Sequence, residues 1–529
     1  MSPSARGGGP GPAASHERLL ILDYGSQYTQ LIARRARELG VYAEIRPGTD
    51  DGSGIRDFAP RAVILSGGPA SVLEPGAPTV PEAVWTAGVP VLGICYGMQA
   101  MAQALGGTLE DSWPHEYGAA ELELEKAPSR LFDRLESRGA SPLQVWMSHG
   151  VRVTGLPPGF RVLAGNRTTP IAAMADEKRG LYGLQFHPEV RHTPDGMRLL
   201  ASFLHEIAGF RGDWRIEDFE AEVIHELGER LPDGRVLLAL SGGVDSAVTA
   251  ALLARAVPGR VVAVVVDTGL LREGELAGIR EAFHSMPIDL RIVDASRRFL
   301  AALEGVSDPE EKRHIIGRLF IEIFAEEARA LADIRALAQG TIYPDVIESA
   351  GGLGPAQVIK SHHNVGGLPE FLPFEIVEPL RWLFKDEVRA LGLRLGLPPA
   401  LVSRQPFPGP GLAVRILGPV TAVGVELLRR ADHLFLEELT RSGWLGRTSQ
   451  AFAVLLPVRS VAVKGDGRAY EPVVALRAVV TDDFMTAHWA ELPHELLARI
   501  SLRLTNEVPG LSRIVYDITG KPPATIEWE

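Results

Sequence analysis

Ser241-Gly242-Gly243-Val244-Asp245-Ser246 links a short apolar run, residues 236–240, to a helix-like run at residues 247–253. A buried strand that leads through a glycine turn into a helix presents backbone N–H groups at the positive end of the helix dipole. Glycines let the chain turn tightly and let an oxyanion approach the backbone, and serine hydroxyls add further donors. The segment therefore predicts a phosphate-sized anion site in an α/β domain, with Asp245 able to reach a magnesium ion.

The spacing of this segment differs from that of the G-x-x-x-x-G-K-[ST] nucleotide loop. It resembles the SGGxDS pyrophosphate loop of the N-type ATP pyrophosphatases, which split ATP into AMP and pyrophosphate while they activate a substrate oxygen as its adenylate. The alternative is an ordinary strand-turn-helix with a serine cap. Six matching positions between a strand and a helix favour the pyrophosphate loop.

Composition limits the kinds of partner that the chain can have. Its 529 residues predict roughly three or four domains. With 54 basic and 66 acidic residues the net charge is −12, which argues against nonspecific binding to nucleic acid polymers or anionic membranes. Apolar runs such as residues 261–266 have the length of a strand and fall far short of the ~20 residues of a membrane-spanning helix. One cysteine excludes an intrachain disulfide framework and favours the reducing cytoplasm.

That cysteine, Cys95, lies between the apolar run at residues 91–94 and a helix-like segment, and glycines flank the turn. A lone cysteine is most often a small buried hydrophobe. A residue at a strand-to-helix elbow, however, is pushed out of the sheet, and the helix dipole favours its thiolate. Residues i and i+2 of an extended segment share a face, so Glu189 can orient the ring of His187 while that ring serves Cys95. Either residue alone has an ordinary structural interpretation, but together they predict a catalytic triad.

These segments resemble the class I glutamine amidotransferases, whose triad is Cys-His-Glu in that chain order. The resemblance implies that Cys95 attacks the side-chain amide of glutamine, that His187 transfers the proton and that Glu189 orients His187. The resemblance also implies an oxyanion hole and a glutamine site. This sequence departs from the family pattern at Val151, where an Asp is usual. The residues assigned to these sites are Gly67, Gly68, Tyr96, Gln99, Ser148 and His149.

An ammonia-producing half joined to an adenylate-forming half implies an ATP-driven amination. Residues 19–529 resemble the family of glutamine-hydrolysing GMP synthases, which aminate xanthosine monophosphate (XMP). The most distinctive matches are residues 266–272, 339–349, 359–369, 384–389 and 516–529. The resemblance implies ATP and Mg²⁺ as cofactors, and glutamine, ATP and XMP as substrates.

The same resemblance assigns further residues to the synthetase half. For ATP and pyrophosphate they are Ser241, Gly242, Gly243, Val244, Asp245, Ser246, Asp267, Gly340, Thr341, Lys360 and Lys385, with Asp245 also the metal ligand. For XMP they are Arg318, Gln450, Lys521 and Glu527.

The predicted architecture is α/β, with two open, mostly parallel sheet domains and a small C-terminal α/β domain. The segments are a disordered tail at residues 1–18, the amidotransferase at 19–208, the ATP pyrophosphatase at 212–404 and a dimerisation and nucleotide-binding domain at 405–529. By analogy with the family we expect a homodimer. Two alternatives remain: an aminating enzyme with another carbonyl substrate, and a nucleotide-sensing scaffold built on an inactive amidotransferase.

Overall fold

The computed structural model describes residues 16–49, 52–135, 142–231, 233–350, 374–464, 467–481, 484 and 486–529. Contacts divide these residues into two units, 16–222 and 223–529. The chain passes from one unit to the other within a helix, Ile216–Arg230.

The first unit contains one nine-stranded sheet. Its strands are β1 (Arg18–Asp23), β2 (Tyr42–Pro47), β3 (Ala62–Leu65), β4 (Val91–Ile94), β5 (Thr108–Leu124), β6 (Leu143–Gly155), β7 (Arg161–Gly165), β8 (Ala173–Asp176) and β9 (Leu181–Leu184). Its helices are α1 (Thr29–Glu38), α2 (Ser53–Phe58), α3 (Glu82–Thr86), α4 (Tyr96–Ala104), α5 (Gly196–Ala201) and the first part of α6 (Ile216–Arg230).

The strand order of this sheet is β2-β1-β3-β4-β9-β8-β7-β5-β6. The strands from β2 to β9 pair in parallel, and β1, β3 and β4 are almost wholly buried, as apolar strands covered on both faces should be. From β9 to β6 the pairing is antiparallel. The antiparallel half of the sheet was not predicted. Its strand β6 alternates buried and more exposed residues, which is typical of a strand with one solvated face.

The second unit begins with a five-stranded sheet that is parallel throughout. Its strands are β10 (Arg235–Ala239), β11 (Val261–Asp267), β12 (Ile288–Asp294), β13 (Ile334–Ala338) and β14 (Glu375–Val377). The helices that follow them are α7 (Val244–Ala256), α8 (Glu275–Phe283), α9 (Ser296–Ala302), α10 (Pro309–Ala330), α11 (Tyr343–Ala350), α12 (Lys385–Arg394) and α13 (Pro399–Val402). The strand order β12-β11-β10-β13-β14 reverses direction between β10 and β13, and open α/β sheets bind ligands at that point.

A four-stranded sheet completes the second unit. It consists of β15 (Gln450–Lys464), β16 (Gly467–Val480), β17 (His488–Trp489) and β18 (Arg513–Tyr516), with helices α14 (Ala422–Arg441) and α15 (His494–Glu507). One hydrophobic core joins side chains of the five-stranded sheet, such as Leu237, to side chains of this sheet and its helices, such as Leu476 and Leu504. The predicted division at residue 404 therefore runs through a shared core, and it stays a prediction.

The α/β fold class is confirmed, and the predicted strands at residues 19–22, 62–65 and 91–94 are present. The predicted tail extends too far, because its last residues belong to the fold. Glu17 accepts hydrogen bonds from the Arg211 amide at 2.8 Å and from Arg61 Nη1 at 2.9 Å, and Arg18 begins β1.

The C-terminal segment is held by Arg477, a fully buried residue of β16. Its guanidinium donates to the backbone oxygens of Thr519 at 2.5 Å, Thr525 at 3.2 Å and Ile526 at 3.4 Å. Asp517 supplies the counter-charge at 3.2 Å.

We expect Arg477→Met to loosen residues 517–526, because three backbone oxygens lose their donor and the buried one, Ile526 O, is left unsatisfied at a cost of about 1–3 kcal/mol. Hydrogen exchange of peptides from this segment should accelerate by at least tenfold. Arg468→Met is the matched control, since Arg468 lies on the same strand but is exposed. Equal exchange in the two variants would contradict this role of Arg477.

Candidate active sites

Cys95 lies on a strained elbow between β4 and α4. Its φ is 49°, in the left-handed region that residues other than glycine rarely adopt, and its amide donates to Leu184 O of β9 at 2.7 Å. Such a conformation persists only where the surrounding structure enforces it, and it is typical of nucleophile elbows. The side chain is only 6% exposed, at the edge of the sheet.

Two glycines allow this elbow to form. A Cβ on Gly97 would lie 2.2 Å from Leu65 O, and a Cβ on Gly93 would lie 2.6 Å from Gly97 O. Both obstructing atoms belong to the backbone and cannot move aside. Helix α4 therefore approaches β3 and β4 closely only because both positions lack a side chain.

The structure brings Cys95, His187 and Glu189 together. His187 Nδ1 lies 2.7 Å from Glu189 Oε1, and both side chains are almost fully buried. Burial by itself lowers the pKa of His187, but the Glu189 charge and the hydrogen bonds with Cys95 and Glu189 raise it well above its ordinary value. Because Nδ1 faces the carboxylate, Nε2 is left for the thiol. The imidazole is therefore placed to take the thiol proton.

The predicted oxyanion and glutamine residues surround this triad. A Cβ on Gly67 would lie 3.2 Å from His187 Cε1, so this glycine borders the imidazole. A Cβ on Gly68 would lie 2.7 Å from Tyr24 O. Tyr96 is the first residue of α4, and the amide of a first helical residue has no acceptor within its own helix. An oxyanion hole at Gly68 and Tyr96 stays a prediction that this placement allows.

Ser148 and His149 lie on β6, beside the nucleophile. The Cys95 thiol donates to Ser148 O at 3.5 Å. His149 Nε2 lies 3.0 Å from Thr169 Oγ1, and that hydroxyl donates to Glu116 at 2.6 Å. Burial lowers the pKa of His149 to about 4, although Glu116 opposes the shift. His149 is therefore neutral at physiological pH.

Gln99 makes its hydrogen bonds within the protein, and its contact with glutamine stays a prediction. Its Nε2 donates to Val151 O at 2.7 Å and to Gln185 Oε1 at 3.3 Å. Val151 thus contributes its backbone oxygen, which any residue supplies, and its side chain joins the hydrophobic core. Gln185 was not predicted, although it stands two residues before His187; the available signal was an amide side chain directly after an apolar strand.

The Ser241–Ser246 loop forms the turn between β10 and α7, as predicted. Gly242 has φ +77°. Ser246 Oγ accepts from the Ser241 amide at 3.2 Å and lies 3.0 Å from Ser241 Oγ. These hydroxyls close the loop on itself, and the carboxyl end of β10 places it where the strand order reverses.

Three of the other predicted ATP residues meet this loop or lie beside it. Lys385 Nζ lies 2.6 Å from Asp245 Oδ2, and a Cβ on Gly340 would lie 3.0 Å from the Ser246 amide nitrogen. Thr341 Oγ1 donates to Glu378 at 2.6 Å. Burial raises the pKa of Asp245, and Lys385 opposes this only in part. Because Gly340 and Thr341 follow β13, they come to the loop across the reversal point.

Two further ATP predictions have different outcomes. Asp267 ends β11, where its Oδ1 accepts from the Gly269 amide at 2.8 Å. Lys360 lies outside the described residues.

Three arginines converge on Phe407, and the sequence did not predict a role for any of them. The guanidinium carbons of Arg272, Arg415 and Arg404 lie 4.8, 5.1 and 5.6 Å from the ring centroid. Arg404 also donates to Gly242 O at 3.0 Å, which ties the cluster to the pyrophosphate loop. Because these arginines do not lie in one segment of the sequence, no local pattern indicated the cluster.

Two of the four predicted XMP residues lie at this cluster, and the other two lie elsewhere. Arg415 Nη2 lies 2.8 Å from Glu527 Oε1, and Gln450 Nε2 donates to the same oxygen at 2.5 Å. Lys521 donates to Phe484 O at 2.7 Å. Arg318 is exposed on α10 and pairs with Glu322 at 3.8 Å. Thus Gln450 and Glu527 are brought together, whereas no hydrogen bond or ion pair of the described residues joins Arg318 to them.

Comparison with known proteins matches both ends of the chain to family models. Residues 20–207 match the class I glutamine amidotransferase family, and residues 437–528 match the GMP synthase C-terminal domain. The first unit, with its elbow and buried Cys-His-Glu group, is thus a class I glutamine amidotransferase domain.

Full-length relatives extend this match to the whole chain. The glutamine-hydrolysing GMP synthases of Azoarcus sp. and Nitrosomonas eutropha are each 57% identical to it, over 521 and 520 residues. That of Thiobacillus denitrificans is 56% identical over 519 residues. Each alignment covers 97% of this chain and 100% of the relative. The chain belongs to the family of glutamine-hydrolysing GMP synthases.

Among the described residues, no helix is both long and apolar enough to span a bilayer.

The depressed pKa of His149 predicts an acid-sensitive amidotransferase unit. Because the folded value of about 4 lies below the ordinary 6.5, the unfolded chain binds more protons between these pH values, and stability falls as pH decreases through them. We expect His149 to contribute a loss of about 2 kcal/mol between pH 7.5 and pH 5. Hydrogen exchange of β6 peptides in the wild type and in His149→Gln measures this. An identical pH dependence in both proteins would contradict the prediction.

Proposed function

We propose that this protein makes GMP from XMP, ATP and glutamine, in two half-reactions carried out by its two units. The observation that carries the first half is the buried contact of Cys95, His187 and Glu189 on a strained elbow. The second half is supported by the pyrophosphate loop at the reversal point of a parallel sheet. Membership of the GMP synthase family supports XMP as the acceptor.

In the amidotransferase half, the Cys95 thiolate attacks the side-chain amide carbon of glutamine and forms a C–S bond. The amide N–H groups of Gly68 and Tyr96 stabilise the resulting oxyanion. His187 donates its proton to the leaving nitrogen, so the C–N bond breaks and ammonia departs. Water, activated by the now neutral His187, hydrolyses the thioester to glutamate and regenerates the thiol.

In the synthetase half, the Ser241–Ser246 loop holds the β- and γ-phosphates of ATP, and Lys385 neutralises part of their charge. A carbonyl oxygen of XMP attacks the α-phosphorus, pyrophosphate leaves, and the adenylated XMP retains AMP as a leaving group. Ammonia then displaces AMP and yields GMP.

The residues present fit a magnesium ion only with help from the substrate. Asp245 Oδ1 is buried and has no hydrogen-bond partner, so it can serve as a ligand. Among the described residues, no group of three or more His, Cys, Asp or Glu side chains could hold a metal. Mg²⁺ commonly binds through one or two carboxylates together with substrate phosphates, and when bound it would neutralise charge on the pyrophosphate.

The arginine cluster at Phe407 is our candidate for the acceptor site. Arg272 and Arg415 are largely buried, and both face the buried carboxylate of Asp432, which lies 2.9 Å from Arg272 Nε and 4.0 Å from Arg415 Nη1. Guanidinium groups bind phosphate through paired N–H donors, so a cluster of arginines is suited to an anion such as the XMP phosphate. Gln450 and Glu527, at the same cluster, offer an amide and a carboxylate to a base.

Quaternary structure and location are also proposals. The hairpin of β15 and β16 exposes Val458, Val461, Val463 and Tyr470 to solvent. Exposed apolar side chains of this size favour contact with a second copy of the chain, and hence a homodimer. A nucleophilic thiol must stay reduced, which favours a cytoplasmic location.

Cys95→Ala should abolish GMP formation from glutamine, because no thioester can form, and should leave GMP formation from ammonium salt within about twofold. Coupled assays with each nitrogen source measure this, and glutamate release gives the first half alone. Equal loss of both activities would overturn the division of labour.

Asp245→Ala should reduce GMP formation by at least about a hundredfold from either nitrogen source, because both need the adenylate. Glutaminase activity, measured as glutamate release, serves as the control and should remain. Normal turnover in this variant would remove Asp245 from the pyrophosphate site.

A further inference from the structure

A second donor lies beside the nucleophile. Gln185 Nε2 donates to Cys95 Sγ at 3.8 Å, and the Gln185 side chain is fully buried. The imidazole of His187 contacts the same sulfur. The sulfur therefore faces two N–H donors from the segment that follows β9, and one carbonyl oxygen, Ser148 O of β6, at 3.5 Å.

The orientation of the Gln185 amide is set by Gln99. One Gln99 N–H donates to Val151 O at 2.7 Å, and the other donates to Gln185 Oε1 at 3.3 Å. Because Gln99 presents hydrogens to Gln185, the oxygen of Gln185 must face Gln99 and its nitrogen must face the sulfur. A flipped amide would direct two donors at each other in a buried site, at a substantial energetic cost.

This chain of contacts also limits what Gln99 offers to glutamine. Both hydrogens of its amide are used within the protein, so only Oε1 is left for a substrate amino group. The predicted glutamine contact of Gln99 is thus restricted to an acceptor.

We propose that Gln185 donates the hydrogen bond that stabilises the Cys95 thiolate together with His187, and that Gln99 is the positioning residue that keeps the Gln185 donor on the sulfur. This inference rests on the proposed role of Cys95 as the nucleophile. A donor on sulfur lowers the energy of the charged thiolate more than that of the neutral thiol, since hydrogen bonds to charged groups are the stronger ones. This hydrogen bond is also lost when the sulfur becomes a thioester. It therefore stabilises only the resting enzyme and the attack step.

The test is the pH dependence of alkylation of Cys95 by iodoacetamide in the full-length protein. Cys95 is the only cysteine in the chain, so the modification reports this site alone. In Gln185→Met the midpoint of the rate profile should rise by about one unit, which is about tenfold slower alkylation at a fixed pH below the midpoint. In Gln99→Met the shift should be smaller and in the same direction, because the Gln185 amide is still present but no longer held.

Gln103→Met is the matched control. Gln103 lies on the same helix α4, is exposed, and donates to Val72 O at 3.3 Å, away from the sulfur. Its alkylation profile should coincide with that of the wild type. Hydrogen exchange of β6 peptides checks that each variant is folded.

Gln185→Glu separates an electrostatic role from a packing role. It keeps the size of the side chain and still accepts from Gln99, but it places a carboxylate oxygen instead of a donor beside the sulfur. We expect a larger upward shift than in Gln185→Met, whereas a packing role predicts a smaller one. If Gln185→Met does not fold, the midpoints of the alkylation profiles of wild type, Gln99→Met and Gln185→Glu test the inference, which requires them to rise in that order.

Wild-type profiles in the Gln185 and Gln99 variants would overturn the inference while leaving the proposed function intact. Failure of the proposed function has a different signature, namely a wild-type protein that releases no glutamate from glutamine. In the variants, kcat for glutamate release should fall at pH values below the midpoint and recover at higher pH, with KM changed less than kcat for Gln185→Met.

Discussion

The close approach of helix α4 to strand β3 is the constraint on which the amidotransferase site depends. Gly97 lies so near to Leu65 O that no side chain fits between them. This contact fixes where the helix begins, and Cys95 must then adopt a positive φ to connect it to β4. The strain at one residue is balanced by the packing of the parallel half of the sheet, which is why the thiol can be held toward His187 rather than buried among apolar side chains.

The synthetase site uses the same principle at a different sheet. A Cβ on Gly340 would meet the backbone of Asp245 and Ser246, so the turn after β13 can lie against the turn after β10 only without a side chain. Because the strand order reverses there, two loops diverge and leave a crevice at the carboxyl edge. Asp245 and Lys385 meet in that crevice although 140 positions separate them in the chain.

Local sequence patterns predicted those parts of the sites that a few consecutive residues encode. A strand, a glycine turn and a helix in sequence were enough to find both Cys95 and the Ser241–Ser246 loop, and i,i+2 geometry was enough to pair His187 with Glu189. The arginines at Phe407 and the Gln99–Gln185 pair were missed, since no single segment contains them. Arg318 was assigned by resemblance, whereas the structure places it on an exposed helical face. The antiparallel strands β5 to β8 were missed as well, although most of them pair with a strand that is adjacent in the sequence.

By itself, the sequence determined the chemistry available: one thiol, one imidazole with a carboxylate two residues away, and a glycine-lined turn before a helix. These are short-range features, and the backbone geometry of strands and turns dictates them. Only the tertiary structure decided which distant groups share a site, such as Gln185 with Cys95 and Arg415 with Glu527. The physical reason is that hydrogen bonds and ion pairs act over a few ångströms, so their partners are known only once the sheets have brought remote segments into contact.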